Sequence, residues 1–172
     1  MAGTDFPEGR WLPEHHSWLM RILSQGSGLL CLDWDETCAA GDIGEALIHS
    51  RDETGEIWSS YVSKLASGRV LEAFVDAAAV LAGMGPAEAD LHCRACVDEA
   101  IRSGSVGVRP EIQGLIRAAE RRGWEVWVVS ASVQPVVAAF ASLYGLPTER
   151  VIGMVLDQSG ERYLPRLKGP VP

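Results

Sequence analysis

Two aspartates two residues apart, Asp33 and Asp35, follow directly on the apolar run Leu29-Leu30-Cys31-Leu32. A carboxylate at the end of a strand is a usable nucleophile toward phosphorus, so Asp33 can form an aspartyl-phosphate. Asp35 is then free for separate chemistry, protonating the leaving oxygen and afterwards activating water, as general acid and base. The hard oxygens of Asp33-Trp34-Asp35-Glu36-Thr37 suit Mg²⁺, which uses one or two carboxylates plus substrate phosphate and keeps several waters. Such an ion offsets repulsion between an anionic nucleophile and a phosphate. A second polar group, Ser130-Ala131-Ser132, follows another apolar run, and the Ser130 hydroxyl with nearby backbone N–H groups can hold phosphate oxygens. The ordinary alternative is that the aspartates cap a strand or helix and that Ser130 is the N-cap of the next helix.

The elements that must position these groups are legible from periodicity. Trp11 to Ser24 has a helical spacing of apolar residues, ended by Gln25-Gly26-Ser27-Gly28. Leu29 to Leu32 has the look of a strand buried on both faces, as in a parallel sheet. Between Asp42 and about Ser103 the chain reads as helices only, around Ile43–His49, Ile57–Ser67, Val70–Leu81 and Ala87–Arg102. Pro86 and Pro110 suit helix starts, and Gly123 suits a helix end. Glu125 to Val129 is rich in β-branched and aromatic residues and reads as a second strand running into Ser130. A helix over Gln134–Leu143 and a weaker strand over Val151–Leu156 complete the pattern. A strand, a helical insert, then helix–strand–helix–strand predicts an α/β fold with a parallel sheet. In such sheets ligands bind beyond the carboxyl ends of the strands, where both polar groups lie.

Composition narrows the classes. The 172 residues, 47% hydrophobic and 22% charged, are those of a globular protein. A formal net charge of −8 and the lack of a basic run argue against nucleic-acid binding. No apolar stretch approaches the roughly 20 residues of a membrane span, and Met1 to Glu14 lacks a basic-then-apolar signal pattern. The expectation is a cytoplasmic protein with no membrane partner. Cys93 and Cys96 have the spacing of a redox or zinc pair, but a helical setting without a second pair favours packing.

Leu30-Cys31-Leu32-Asp33-Trp34-Asp35-Glu36-Thr37 resembles the first motif of haloacid dehalogenase-type phosphatases, and Val128-Val129-Ser130-Ala131-Ser132 resembles the second. A helical insert just after the first motif is similar to the phosphoserine phosphatase-like subgroup. Gly41-Asp42-Ile43-Gly44-Glu45-Ala46, with Val136 beyond the second motif, is closer to phosphorylcholine phosphatase-like members. The resemblance implies a Rossmann-like core formed by residues 1–40 and 107–172, carrying an all-helical cap over residues 41–106. It implies Asp33 as nucleophile and magnesium ligand, and Asp35 as acid/base with its backbone carbonyl on magnesium. Thr37 would orient the loop beside the phosphate, and Ser130 and Ala131 would bind the phosphate. Asp42 and Glu45 would face the substrate from the cap, the alternative for Glu45 being an exposed helix face. The expected partner is a small phosphorylated metabolite, phosphoserine- or phosphocholine-like. Trp58, Tyr61 and Phe74 are bundle core in the ordinary reading and a cage for a quaternary ammonium in the functional one.

The family also needs a later lysine that bridges phosphate and nucleophile, and a still later acidic pair on the metal. Lys168 is the only lysine after Lys64, and Gly169-Pro170-Val171-Pro172 is a poor helix start behind it. The expectation is therefore a core that stops short of these groups, with an exposed sheet edge. A domain that binds phosphate or a partner without turnover is the competing class. A phosphotransferase, or a phosphonate- or haloacid-cleaving relative, is a further enzymatic one, although a dehalogenase has no need of Asp35.

Overall fold

In the computed structural model, residues 10–172 are described. Helix α1 (Pro13–Leu23) leads into strand β1 (Leu29–Leu32), and the chain then makes a tight turn into the two-residue strand β2 (Ala39–Ala40). Four helices follow: α2 (Ile43–His49), α3 (Glu56–Ala66), α4 (Val70–Ala79) and α5 (Pro86–Ser103). Strand β3 (Gly107–Val108) returns beside β2, antiparallel, with Ala39 opposite Val108 and Ala40 opposite Gly107. The two chain crossings that flank the helices are thus hydrogen-bonded neighbours. Helix α6 (Pro110–Arg121), strand β4 (Glu125–Val133), helix α7 (Gln134–Ala141) and strand β5 (Val151–Met154) complete the parallel unit.

The main sheet has the order β1-β4-β5, all parallel, with Leu32 beside Val128 and Val128 beside Val151. β4 is the central strand, paired with β1 on one side and β5 on the other. Its Val126 and Val128 are fully buried against one face, while α7 covers the sheet with Val136, Val137 and Phe140. The helices after β2 do not stand apart from this core, since α5 packs on α7 and α4 on β4.

Three expectations are corrected. β1 is not buried on both faces: Leu29 is 58% exposed and Cys31 is exposed. Its only sheet neighbour among the described residues is β4, and an apolar run cannot reveal how many neighbours a strand will have. Ser130, Ala131 and Ser132 do not follow the second strand but lie within it, since β4 runs on to Val133. The third strand does not run on to Leu156, since β5 ends at Met154. A hairpin of β6 (Leu156–Ser159) and β7 (Arg162–Leu167) follows, turning through Gly160 at φ 60°. That hairpin packs on α4, and Tyr163 exchanges backbone hydrogen bonds with Gly83 and Met84. Lys168 lies just beyond β7, its N–H on the Val155 carbonyl, and begins no helix.

Candidate active site

The turn after β1 is built around Trp34. Alternation along extended chain sends this one side chain inward and leaves Asp33 and Asp35 on the other side. Trp34 is fully buried, edge-on to Phe140 and Tyr144 at centroid distances of 5.5 and 5.2 Å. Its carbonyl accepts the N–H groups of Thr37 (3.2 Å), Cys38 (2.8 Å) and Ala39 (3.0 Å). The turn closes through Glu36, which takes a left-handed φ of 58° and donates its N–H to Gly41. Gly41 sits at φ 97°, and a Cβ there would lie 2.4 Å from the Ser105 carbonyl oxygen, so only glycine fits at this crossing.

The two aspartates have contrasting environments. Asp33 is exposed, and Thr37 Oγ1 donates to its Oδ2 at 2.6 Å. Asp35 is half-buried and accepts three hydrogen bonds, from Ile43 N (2.8 Å), Ser130 Oγ (3.2 Å) and Ser132 Oγ (2.7 Å). Burial, followed by the nearby charge of Asp42, pushes its pKa up to about 6, and the three donors only partly oppose this. Asp42 caps α2 by accepting Glu45 N–H at 2.9 Å, and burial raises its pKa too. Cys38, beneath the turn, is a buried thiol pushed up to about 12 by burial and by Asp33, so it is chemically inert.

Asp33, Asp35, Ser130 and Ala131 line one cavity of about 180 Å³, joined there by Asp42, Ser132, Tyr61 and Phe74. Two residues of the expected set lie elsewhere. Glu45 lines the larger neighbouring cavity of about 610 Å³, which meets the first at Asp42. Thr37 lines a groove on the α1 side and reaches the site only through Asp33. Tyr61 is buried and stacked on Trp58 at 5.6 Å, so it serves the helical core while one part borders the cavity. Cys93 and Cys96 are both buried in α5. Ser132 was missed as an Asp35 partner, although its position two residues from Ser130 in a strand puts both on one face.

The profile of the haloacid dehalogenase-like hydrolases matches residues 30–172. The chain belongs to this family. Solved structures share the fold of this dehalogenase-like hydrolase at low identity. A protein from Anaerococcus prevotii superposes with a TM-score of 0.75 at 13% identity, over 96% of this chain and 74% of its own. A protein from Bordetella pertussis gives 0.63 at 20%, over 85% and 68%. A phosphoserine phosphatase described as a phospho-aspartyl intermediate analogue gives 0.53 at 15%, over 84% of this chain and 63% of that one. The chain thus spans about three-fifths to three-quarters of the length of these structures. No curated protein matches it by sequence. Among the described residues no helix is long and apolar enough to cross a membrane.

The oxygen donors fit a hard cation: the exposed Asp33 carboxylate accepts only the Thr37 hydroxyl among the hydrogen bonds here. Among the described residues no group of three His, Cys, Asp or Glu side chains is placed to hold a metal ion by itself. An ion here would therefore draw on the Asp33 carboxylate together with substrate phosphate and water. None of the residues lining the cavity is a lysine or arginine, so three carboxylates face any incoming phosphate.

Proposed function

We propose that this hydrolase is a magnesium-dependent phosphatase acting on a small phosphorylated metabolite through an aspartyl-phosphate on Asp33. The observation that carries this is the division of labour between the aspartates: an exposed Asp33 and a half-buried, triply hydrogen-bonded Asp35 in one cavity with Ser130. An exposed carboxylate is free to attack. A desolvated one favours its protonated form and can give that proton up.

In the first step an Asp33 carboxylate oxygen bonds to phosphorus while the bond to the leaving oxygen breaks, and Asp35 protonates that oxygen. In the second, Asp35 takes a proton from water as the water oxygen bonds to phosphorus, and the bond to Asp33 breaks to release inorganic phosphate. Ser130 Oγ, turning its single proton from Asp35 to the phosphate, and the backbone N–H groups around Ala131 hold the equatorial oxygens. Asp33 and the Asp35 backbone carbonyl would hold Mg²⁺, which would supply the positive charge that three carboxylates make necessary. Residues 41–106 act as the cap over a core of residues 10–40 and 107–172, residues 1–9 of the expected core lying outside the described residues, and the cap contributes Asp42, Tyr61 and Phe74 to the cavity. Carboxylate and aromatic rings together suit a leaving group with an ammonium head, phosphoserine- or phosphocholine-like. The working compartment under this reading is the cytoplasm.

Asp33→Asn keeps the shape of the side chain and removes its nucleophilicity. Magnesium-dependent hydrolysis of p-nitrophenyl phosphate is expected to fall at least about 10³-fold, with the thermal midpoint retained. Undiminished turnover in that variant rejects the mechanism. The lack of a basic side chain in the cavity favours a second reading, a domain that binds phosphate or a partner without turnover. Hydrolysis by the unaltered protein that EDTA abolishes decides against it.

A further inference from the structure

The turn carrying both aspartates is held by two residues far away in sequence. Arg109, the first residue after β3, reaches back across the crossing and donates Nε to the Ala39 carbonyl (3.2 Å) and Nη2 to the Glu36 carbonyl (3.2 Å). Tyr144 fills the gap between these contacts: its hydroxyl donates to the Cys38 carbonyl and accepts the Arg109 N–H at 2.8 Å. The carbonyls of Glu36, Cys38 and Ala39 are therefore all captured by side chains from the return crossing and from beyond the end of α7.

This matters because the turn is not self-sufficient. Glu36 occupies a left-handed conformation that a residue with a Cβ adopts at some cost, so the turn relaxes elsewhere unless its surroundings hold it. β1 gives that support only in part, being four residues long and exposed at Leu29 and Cys31. The Arg109 guanidinium is half-buried, and its rigid planar fork meets two carbonyls from two different nitrogens, a geometry that the point-like ammonium of a lysine matches less well.

We propose that Arg109 is a positioning residue: by clasping the Glu36 and Ala39 carbonyls it locks the turn that aims Asp33 and Asp35, and ties its order to the pairing of β2 with β3. The link to catalysis rests on the phosphatase reading, whereas the hold on the turn does not. Misplacement of reacting groups by about 1 Å costs on the order of 100-fold in rate. A loosened turn therefore lowers kcat, while KM, set by cavity contacts, stays within a few-fold.

The test uses Arg109→Met, which keeps an apolar stem, with Arg109→Lys beside it, and two readouts on each. In hydrogen exchange, the amides of Glu36, Thr37, Cys38 and Ala39 are expected to exchange at least about 10-fold faster in Arg109→Met, with those of β4 and α7 unchanged. With p-nitrophenyl phosphate and Mg²⁺, kcat is expected to fall about 10- to 100-fold at nearly constant KM, and Arg109→Lys to recover part of both effects. Wild-type exchange in the turn overturns the proposal, as does equal acceleration in β4 and α7, or a fully retained kcat. If Arg109→Met does not fold, Arg109→Lys carries the same comparison at smaller amplitude. If the unaltered protein hydrolyses nothing, the phosphatase reading falls, and the exchange data alone uphold or overturn the hold of Arg109 on the turn.

Discussion

β1 and β4 lie side by side in one sheet and deliver the two halves of the site, yet they do so by opposite means. β4 is a nine-residue central strand, and its Ser130 is buried within the strand itself. β1 is a four-residue strand at the sheet edge with Leu29 and Cys31 exposed. Asp33 hangs beyond it on a turn whose order comes from Trp34, Tyr144 and Arg109. One reactive group is thus placed by a strand and the other by an anchor. Asp33, the proposed nucleophile, takes its position from that anchor rather than from the strand that precedes it.

The contrast breaks first at Trp34. Trp34→Ala removes a fully buried ring from between Phe140 and Tyr144 and is expected to cost about 3–5 kcal/mol of stability in chemical denaturation. Leu29→Ala, at an equally apolar position in the neighbouring strand, is expected to stay within about 0.5 kcal/mol because its side chain is already in water. Similar losses at both sites mean that β1, not the anchor, supports the turn.

Asp35→Asn sharpens the comparison from the β4 side, where Ser130 and Ser132 meet the carboxyl. With a pKa raised from 3.8 to about 6, the folded protein binds more protons at Asp35 than the unfolded chain between those pH values. Stability from this group is therefore present at low pH and lost as pH rises through about 6. In metal-free buffer Asp35→Asn is expected to raise the thermal midpoint by a few degrees, about 2–6 °C, at pH 7 and to give no gain below about pH 4. Such a gain is typical of an active-site group held at some cost to the fold. A destabilised variant at pH 7 shows that the three donors outweigh burial.

Much of this architecture is legible in residue order, and the exceptions have physical causes. Helical periodicity located α2 at its observed limits and the other insert helices to within a residue or two. Apolar runs located all three strands of the parallel sheet, through β-branched residues in β4 and β5 and through leucines in β1. Burial of β1 was not legible, since it depends on what lies beyond the strand. The far end of β4 was obscured because Ser130-Ala131-Ser132 are small and polar, although their alternation is that of a strand. The β6–β7 hairpin is polar along Asp157 to Arg162, and only Gly160 between alternating residues signals a two-residue turn. In the site, Asp33, Asp35 and Ser130 were found locally. Arg109 and Tyr144 were not, since nothing near them in sequence reveals that β3 returns beside β2.

The central claim is that Asp33 itself carries the phosphoryl group, and trapping that intermediate tests it most directly. Quenching turnover and reducing the acyl phosphate with borohydride converts a phosphorylated aspartate to homoserine, which peptide mass spectrometry locates. Homoserine is expected at position 33 alone, absent without Mg²⁺ and absent from Asp33→Asn. Homoserine at Asp35 or Asp42, or ongoing hydrolysis with no trapped residue at position 33, contradicts that claim.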